Sequence, residues 1–168
     1  MSNEPHFERV VSAYGAALGR LAAAYERDQH EREDLLQDIL FALWRALPSF
    51  RGECSERTFV YRVAHNRALT YRRQVRPRGE MLEHAAAVPD WRADPAEHAD
   101  AVQRREHLLD AIRRLPYGYR QVVTLRLEEL SNAEIADVLG VTENTVAVRL
   151  TRARKALADL MHEEWSNA

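Results

Sequence analysis

Along most of the chain, apolar residues return every three or four positions, the period of one helix face, and nowhere in sustained alternation. From Phe7 to about Tyr25 that face carries Phe7, Val10, Val11, Tyr14, Leu18 and Leu21. A polar break over 26–31 leads into a stronger helix, roughly 32–47. Its broad stripe is Leu35, Leu36, Ile39, Leu40, Leu43, Trp44 and Leu47. Pro48 ends it, because proline lacks an N–H donor and crowds the preceding turn. Residues 49–55, with Gly52, read as a loop. A third helix over about 56–74 places Val60, Val63, Ala64, Ala68 and Tyr71 on one side. The period is lost over 77–101, where three prolines and scattered acids predict a linker with at most short helices. It returns over 104–115 with Leu108, Leu109 and Ile112, and breaks at Pro116 and Gly118. It resumes over 119–128 with Val122, Val123 and Leu125 inward. These runs predict an all-α fold: two small helical domains, 1–75 and 104–168, joined by a flexible linker over 76–103.

The sharpest local pattern is SNAEIADVLGVTENTVAVRLTRARKAL, residues 131–157. Ser131 and Glu134 form an S-x-x-E capping box, which satisfies free N–H groups at a helix start. Ile135, Ala136 and Leu139 give that helix its apolar face, and Gly140 suits the left-handed exit. Thr142 can cap the next helix through its hydroxyl. Val146, Leu150, Ala153 and Leu157 then form one buried stripe. The remaining faces carry Asn144, Thr145, Arg149, Thr151, Arg152, Arg154 and Lys155. A capped helix, a glycine turn and a helix with an Arg-rich outer face make the layout of a DNA-binding helix-turn-helix. The residues after 162 are expected to fray.

Charge supports this reading through its distribution rather than its total. The net charge is −2. Residues 51–78 hold eight Arg and two Glu, 79–101 hold six acids and one Arg, and 142–155 are basic again. Two basic islands therefore flank an acidic stretch unsuited to lying on bare phosphate. On the 56–74 helix, Arg62, Asn66 and Arg73 fall within about 40° of one another, opposite the apolar side. That face suits a nucleic-acid strand, and equally a solvated helix; the residues alone leave both open.

Other chemistries find little support. With 46% apolar residues in 168, a buried core is feasible. No run approaches the roughly 18 apolar residues of a membrane span, and the polar Met1–His6 stretch lacks a signal-peptide pattern. The expectation is a cytoplasmic protein without membrane insertion. The lone Cys54 excludes an internal disulfide framework and fits a reducing compartment. His30-Glu31 begins an H-E-x-x-H motif, but Asp34 stands where the second His is required. Cys54 and His65 lack an orienting third group. No metal, cofactor or enzymatic activity is expected. A two-domain regulator with a receiver upstream would need alternating β-branched runs, and 1–75 has none. A helical adaptor would not need Arg149, Arg152 and Arg154 beside a capped turn.

In their order these elements resemble a group 4, or extracytoplasmic function, sigma factor of the sigma-70 family. Asp34-Leu-Leu-Gln-Asp38 with Phe41, Leu43 and Trp44 resembles region 2.2, which docks on the β′ clamp of RNA polymerase. Phe50 to Phe59, followed by Tyr61-Arg-Val-Ala-His-Asn66, resembles regions 2.3 and 2.4, which melt the −10 element and hold a flipped base. Leu115-Pro116, Arg120, Val123 and the stretch from Leu130-Ser131 to Arg154 resemble region 4, which reads the −35 element. The resemblance implies core-polymerase contacts at Asp34, Leu35, Gln37, Asp38 and Phe41. It implies −10 contacts at Arg51, Arg62, Asn66 and Arg73. It implies −35 contacts at Asn144, Thr145, Ala147, Val148, Arg149, Arg152 and Arg154. Implied partners are core polymerase through its β′ clamp and β flap, promoter DNA, and an anti-sigma factor.

The chain departs from the family pattern at Ala147-Val148, where Lys-Ser is common. Apolar side chains there suit thymine methyl groups. At Phe59, where Trp is usual, one aromatic replaces another. A spacer of about 17 base pairs spans roughly 58 Å, and about 28 linker residues reach at most roughly 95 Å. One chain is therefore long enough to hold both elements.

Overall fold

The computed structural model describes residues 4–75 and 99–166, with side chains over 4–71 and 101–162. Most of the expected linker, 76–98, lies outside the described residues. Among those described, seven α-helices account for the architecture: α1 Glu4–Tyr25, α2 Gln29–Ala46, α3 Glu56–Val75, α4 Ala99–Arg114, α5 Tyr117–Leu127, α6 Asn132–Leu139 and α7 Glu143–Ser166. A 3-10 turn, Leu47–Ser49, follows α2. No helix among the described residues is long and apolar enough to cross a membrane.

The first three helices pack on one another through the faces the period predicts. Leu18 and Leu21 of α1, Leu35, Ile39 and Leu43 of α2, and Val60, Ala64 and Ala68 of α3 are fully shielded from solvent. Helix α2 starts earlier than the hydrophobic period indicates. Asp28 accepts N–H bonds from His30 (2.9 Å) and Glu31 (3.1 Å), a cap that begins the helix inside the polar break. Its buried stripe is also narrower than expected. Trp44 is 39% exposed and meets the edge of Phe7 at 5.2 Å. At about 100° per residue, Trp44 lies more than a quarter-turn from the Leu35–Ile39–Leu43 line.

The second group is α4 to α7. Ile112, Val122, Leu125, Leu130, Ile135, Val146 and Ala153 form its buried interior. Gly118 belongs to α5 rather than to a break; Pro116 is the residue before the helix, where its missing N–H costs nothing. The buried Arg120 was not foreseen. Its guanidinium donates to the carbonyls of Arg113 and Leu115, the orphan acceptors at the end of α4. Helix α7 is longer than expected and continues to Ser166.

The helix-turn-helix forms as its sequence dictates. Ser131 Oγ accepts from Glu134 N at 3.2 Å, while Glu134 Oε2 accepts from Ser131 N at 2.8 Å. The bond from the Ser131 N–H holds the Glu134 carboxyl below its usual range. Gly140 ends α6 at φ 66°, and Thr142 Oγ1 accepts from Thr145 N at 3.1 Å. A side chain at Gly140 would meet nothing within 4 Å, so its cost is backbone strain alone.

Both α6 termini are therefore testable. Ser131→Ala should lower unfolding free energy by about 1 kcal/mol, and Gly140→Ala by roughly 1–2 kcal/mol, in urea titrations followed by circular dichroism. An unchanged midpoint for both would mean that neither terminus stabilises the domain.

Candidate nucleic-acid interface

Helix α7 separates its fold-forming face from its outer face. Val146, Leu150 and Ala153 are buried, whereas Asn144, Val148, Thr151, Arg152, Arg154 and Lys155 are exposed. Thr145, Ala147 and Arg149 are half-buried. Thr145 is tied to the cap by a 2.8 Å hydroxyl contact with Thr142. Ala147, Val148, Thr151 and Arg152 line a shallow apolar depression in the otherwise polar outer face. Val148 is 41% exposed and contributes little to the core, so its apolar character has no folding explanation.

The second site lies where the 50–55 loop meets α3. Gly52 turns that loop at φ 75°. Ser49, Phe50, Arg51, Glu53, Cys54, Phe59 and Arg62 surround an open depression of about 240 Å3. Phe50 and Phe59 form an aromatic pair in its wall, with centroids 4.8 Å apart and rings tilted by 41°. Ser55 Oγ accepts from Thr58 N at 3.0 Å and pins the start of α3 beneath the loop. The arrangement combines aromatic faces with two guanidinium groups, which suits an unstacked base and its phosphates. Of the four residues expected at −10, Arg51 and Arg62 border this depression. Asn66 is exposed one turn further along α3, outside it. The side chain of Arg73 lies outside the described residues. Phe50 and Phe59 are the functional candidates that charge patterning missed. Aromatic residues flanking the Gly52 loop were the available signal.

Beneath this face, His65 is 2% exposed and shares a 3.1 Å hydrogen bond through Nδ1 with the Tyr25 hydroxyl. Its recorded partner is thus Tyr25 rather than Cys54. Burial pushes the His65 pKa down to about 3.

On α2, Asp34, Gln37 and Phe41 form an exposed outer strip, with Phe41 at 61% exposure and Arg45 stacked over its ring at 5.9 Å. Leu35 corrects the expectation. It is wholly buried on the face toward α1 and α3, so it holds the strip in place and cannot itself touch a partner. Asp38 accepts from Arg67 of α3 at 2.6 Å, so its carboxylate is already paired. Among the described residues, no group of His, Cys, Asp and Glu is arranged to hold a metal ion.

A capped helix-turn-helix beside a second helical unit with its own Arg-bordered pocket is an arrangement suited to nucleic acid. The sigma-70 region 2 model matches residues 10–78, and the sigma-70 region 4 model matches residues 105–157. The extracytoplasmic function sigma factor SigM of Mycobacterium tuberculosis is 33% identical over 157 residues, covering 92% of this chain and 76% of SigM. SigG of the same species is 32% identical over 152 residues, and the match covers 41% of SigG. Two solved structures share the fold. One is CnrH in complex with the cytosolic domain of CnrY, with TM-score 0.71, 24% identity, and 96% of this chain and 91% of that one covered. The other is the sigma factor RpoE with the anti-sigma factor NepR from Bartonella quintana, with TM-score 0.74, 20% identity, and 94% and 97% covered. The chain belongs to the extracytoplasmic function sigma factors of the sigma-70 family, the alternative, non-enzymatic sigma subunits that direct transcription initiation.

The buried histidine gives this scaffold a defined acid response. The folded state excludes a proton from His65 down to about pH 3, whereas the unfolded chain accepts one near 6.5. Stability contributed by the neutral imidazole is complete above pH 6.5 and falls as pH drops from there toward 3, by at most about 1.4 kcal/mol per unit. His65→Gln, which does not titrate, should flatten urea midpoints measured between pH 7.5 and 5. A wild-type midpoint independent of pH over that range would contradict the burial.

Proposed function

We propose that this chain carries core RNA polymerase to promoters by dividing three contacts among three helices. The outer strip of α2 (Asp34, Gln37 and Phe41, with Asp38 at its edge) docks on the β′ clamp. The pocket between the 50–55 loop and α3 takes an unstacked −10 base, with Arg51, Arg62 and Arg73 on the phosphates and Asn66 at the strand beyond. The outer face of α7 reads the −35 element through Asn144, Thr145, Ala147, Val148, Arg149, Arg152 and Arg154. Residues 1–75 and 104–168 are the corresponding working units, the second also meeting the β flap. The observation that carries the reading is the aromatic, Arg-bordered depression at the loop–α3 junction, open to solvent between Phe50 and Phe59 on one side and Arg51 and Arg62 on the other. An anti-sigma factor is a further partner. The family resemblance and the partner proteins named in both solved complexes support it. The workplace is the cytoplasm, where core polymerase and promoters are.

Capture of the base makes opening separable from binding. Phe59→Leu keeps apolar volume but removes the stacking surface, worth about 1–3 kcal/mol per base. With core polymerase it should reduce permanganate reactivity of −10 thymines about tenfold or more, while gel-shift affinity for the closed duplex changes less. Asn66→Ala should weaken opening to a smaller degree. Arg62→Ala should lower affinity more evenly and reduce its salt slope by about one unit. Normal opening by Phe59→Leu would remove the pocket from the mechanism.

The apolar step on α7 has its own test. A methyl group seated against Val148 contributes about 0.8 kcal/mol, roughly fourfold in affinity. Replacing −35 thymines singly by uracil should cost the wild type about that factor at one position and cost Val148→Ala nothing there. Equal sensitivity to uracil in both proteins would dismiss methyl reading.

A further inference from the structure

Gly118 stands at the second position of α5, and nothing in its own backbone requires glycine. Its φ lies outside the left-handed region that Gly52 and Gly140 adopt. Within a helix, glycine is less stable than alanine because it loses more conformational freedom on folding. The reason for the missing side chain lies on α7, which packs against α5. The first carbon of a side chain at Gly118 would have three atoms of Arg149 as its nearest neighbours. Cζ would lie at 3.6 Å, and Nε and Nη1 at 3.7 Å each. Cζ is nearer than either nitrogen, so Gly118 faces the flat of the guanidinium rather than its edge. A methyl group fits at that distance. A longer side chain on the same course takes the space that the guanidinium fills.

Folding does not explain the position of Arg149. The residue is half-buried, yet among the described residues no carboxylate or carbonyl takes its guanidinium. A charge held partly out of water without a counter-charge destabilises the fold. Lying beside the first turn of α5, it also opposes the dipole of that helix. Nor does it belong to the outer depression of α7, which is lined by Ala147, Val148, Thr151 and Arg152. A guanidinium laid flat against a neighbouring helix is not extended toward base edges. Its N–H groups still point outward in the plane, a geometry suited to phosphate oxygens.

We propose that Gly118 is the seat that fixes Arg149, and that Arg149 so fixed grips a backbone phosphate at −35 rather than a base. The inference rests on the reading of α7 as the −35 helix. It divides the work of that face. Arg149 sets how α7 lies on the duplex, and the outer depression with Arg152 carries sequence choice. Gly118 is a positioning residue: it touches no DNA and acts through Arg149.

The test uses the whole chain with core polymerase. The probes are a duplex promoter that this holoenzyme transcribes and copies with each −35 base pair changed singly, at several salt concentrations. One phosphate contact contributes about fivefold in affinity at about 0.15 M salt, and about one unit of salt slope. Arg149→Ala should lose both, by the same factor on every −35 variant. Gly118→Leu, which changes no charge, should reproduce both losses and add nothing when combined with Arg149→Ala. A purely structural role for Gly118 would leave the salt slope unmoved. Gly118→Ala should bind as the wild type does and unfold at higher urea, because a methyl group fits beneath the guanidinium and favours the helix. Leucine is also a better helix former than glycine, and Gly118→Met takes its place if the urea midpoint of Gly118→Leu falls. Wild-type affinity and slope in the Leu or Met variant overturn the seat, as do additive losses in the double variant. A loss in Arg149→Ala confined to one base pair makes Arg149 a base reader and overturns the phosphate assignment. Arg152→Ala judges the underlying −35 reading separately, since an altered preference at one base pair upholds that reading whatever Gly118 does.

Discussion

The C-terminal turn of α1 is the constraint on which the rest of the structure depends. Ala22, Ala23, Ala24 and Tyr25 are all buried there. A buried helix end must find donors for its last carbonyls, or it loses more than its apolar contacts return. Both halves of the chain supply them. Arg113 of α4 donates to the Ala23 carbonyl at 2.9 Å, and Arg32 of α2 donates to the carbonyls of Glu26 and Arg27 at 2.9 Å each. Tyr25 then sits among three helices. Its hydroxyl meets His65 of α3, its ring lies 6.0 Å from Tyr117 of α5, and the Arg120 guanidinium stands 5.9 Å above it. Burial and the neighbouring Arg32 lower the Arg113 pKa from its ordinary value, while Asp110 and Glu106 act against that shift. The junction is thus cationic, desolvated and counter-charged, so its polar bonds depend on one another.

The proposed contacts lie where side-chain type and burial disagree. An exposed Phe41 and an exposed Val148 bring nothing to the core, and both lie on helix faces turned away from it. The reverse disagreement, polar residues inside, serves structure. Arg120 closes α4, Thr124 returns its hydroxyl to the Arg120 carbonyl at 2.7 Å, and His65 anchors α3 to α1. This contrast lets surface chemistry change without loss of fold. It also explains why Asp38, which pairs with Arg67, is a poorer candidate for polymerase recognition than its neighbour Phe41.

The helices were legible because their apolar faces recur at the helical period, and the helix-turn-helix because its caps are written in residue type. Ser131, Glu134, Gly140 and Thr142 each do locally what their chemistry permits, and no distant contact is needed to read them. Asp28 was harder to place, since a lone acid among charged neighbours has no apolar face to mark it as a start. Leu35 and Trp44 show the limit of a stripe read by eye. Both are apolar, yet only one lies on the line that meets α1 and α3. Gly118 was taken for punctuation because glycine beside proline usually is, whereas it sits within α5 beside the Arg149 guanidinium. The contact between the halves had no local signature at all. It is made of arginines reaching carbonyls and carboxylates 71 to 108 positions away, and an arginine in sequence is equally a solvated one.

Helices α3 and α7 carry their chemistry under different constraints. On α7 the residues proposed to read the −35 element lie off the buried stripe, so on that reading the preference can shift by single substitutions while Val146, Leu150 and Ala153 keep the helix seated. On α3 the margin is smaller. Val60, Ala64, His65 and Ala68 hold one side, Arg67 is committed to Asp38, and Arg62 donates to the Asp137 carbonyl of α6. Two of the bonds from α3 to α6 and its preceding turn, those of Arg62 and Arg57, end on backbone oxygens of Asp137 and Glu128 rather than on side chains. Backbone acceptors survive substitution, so that part of the contact is insensitive to residue type on the helix-turn-helix side. The Arg20–Glu128 and Arg27–Asp110 pairs are the parts whose strength depends on side-chain charge, so there a single substitution changes how the two halves hold each other.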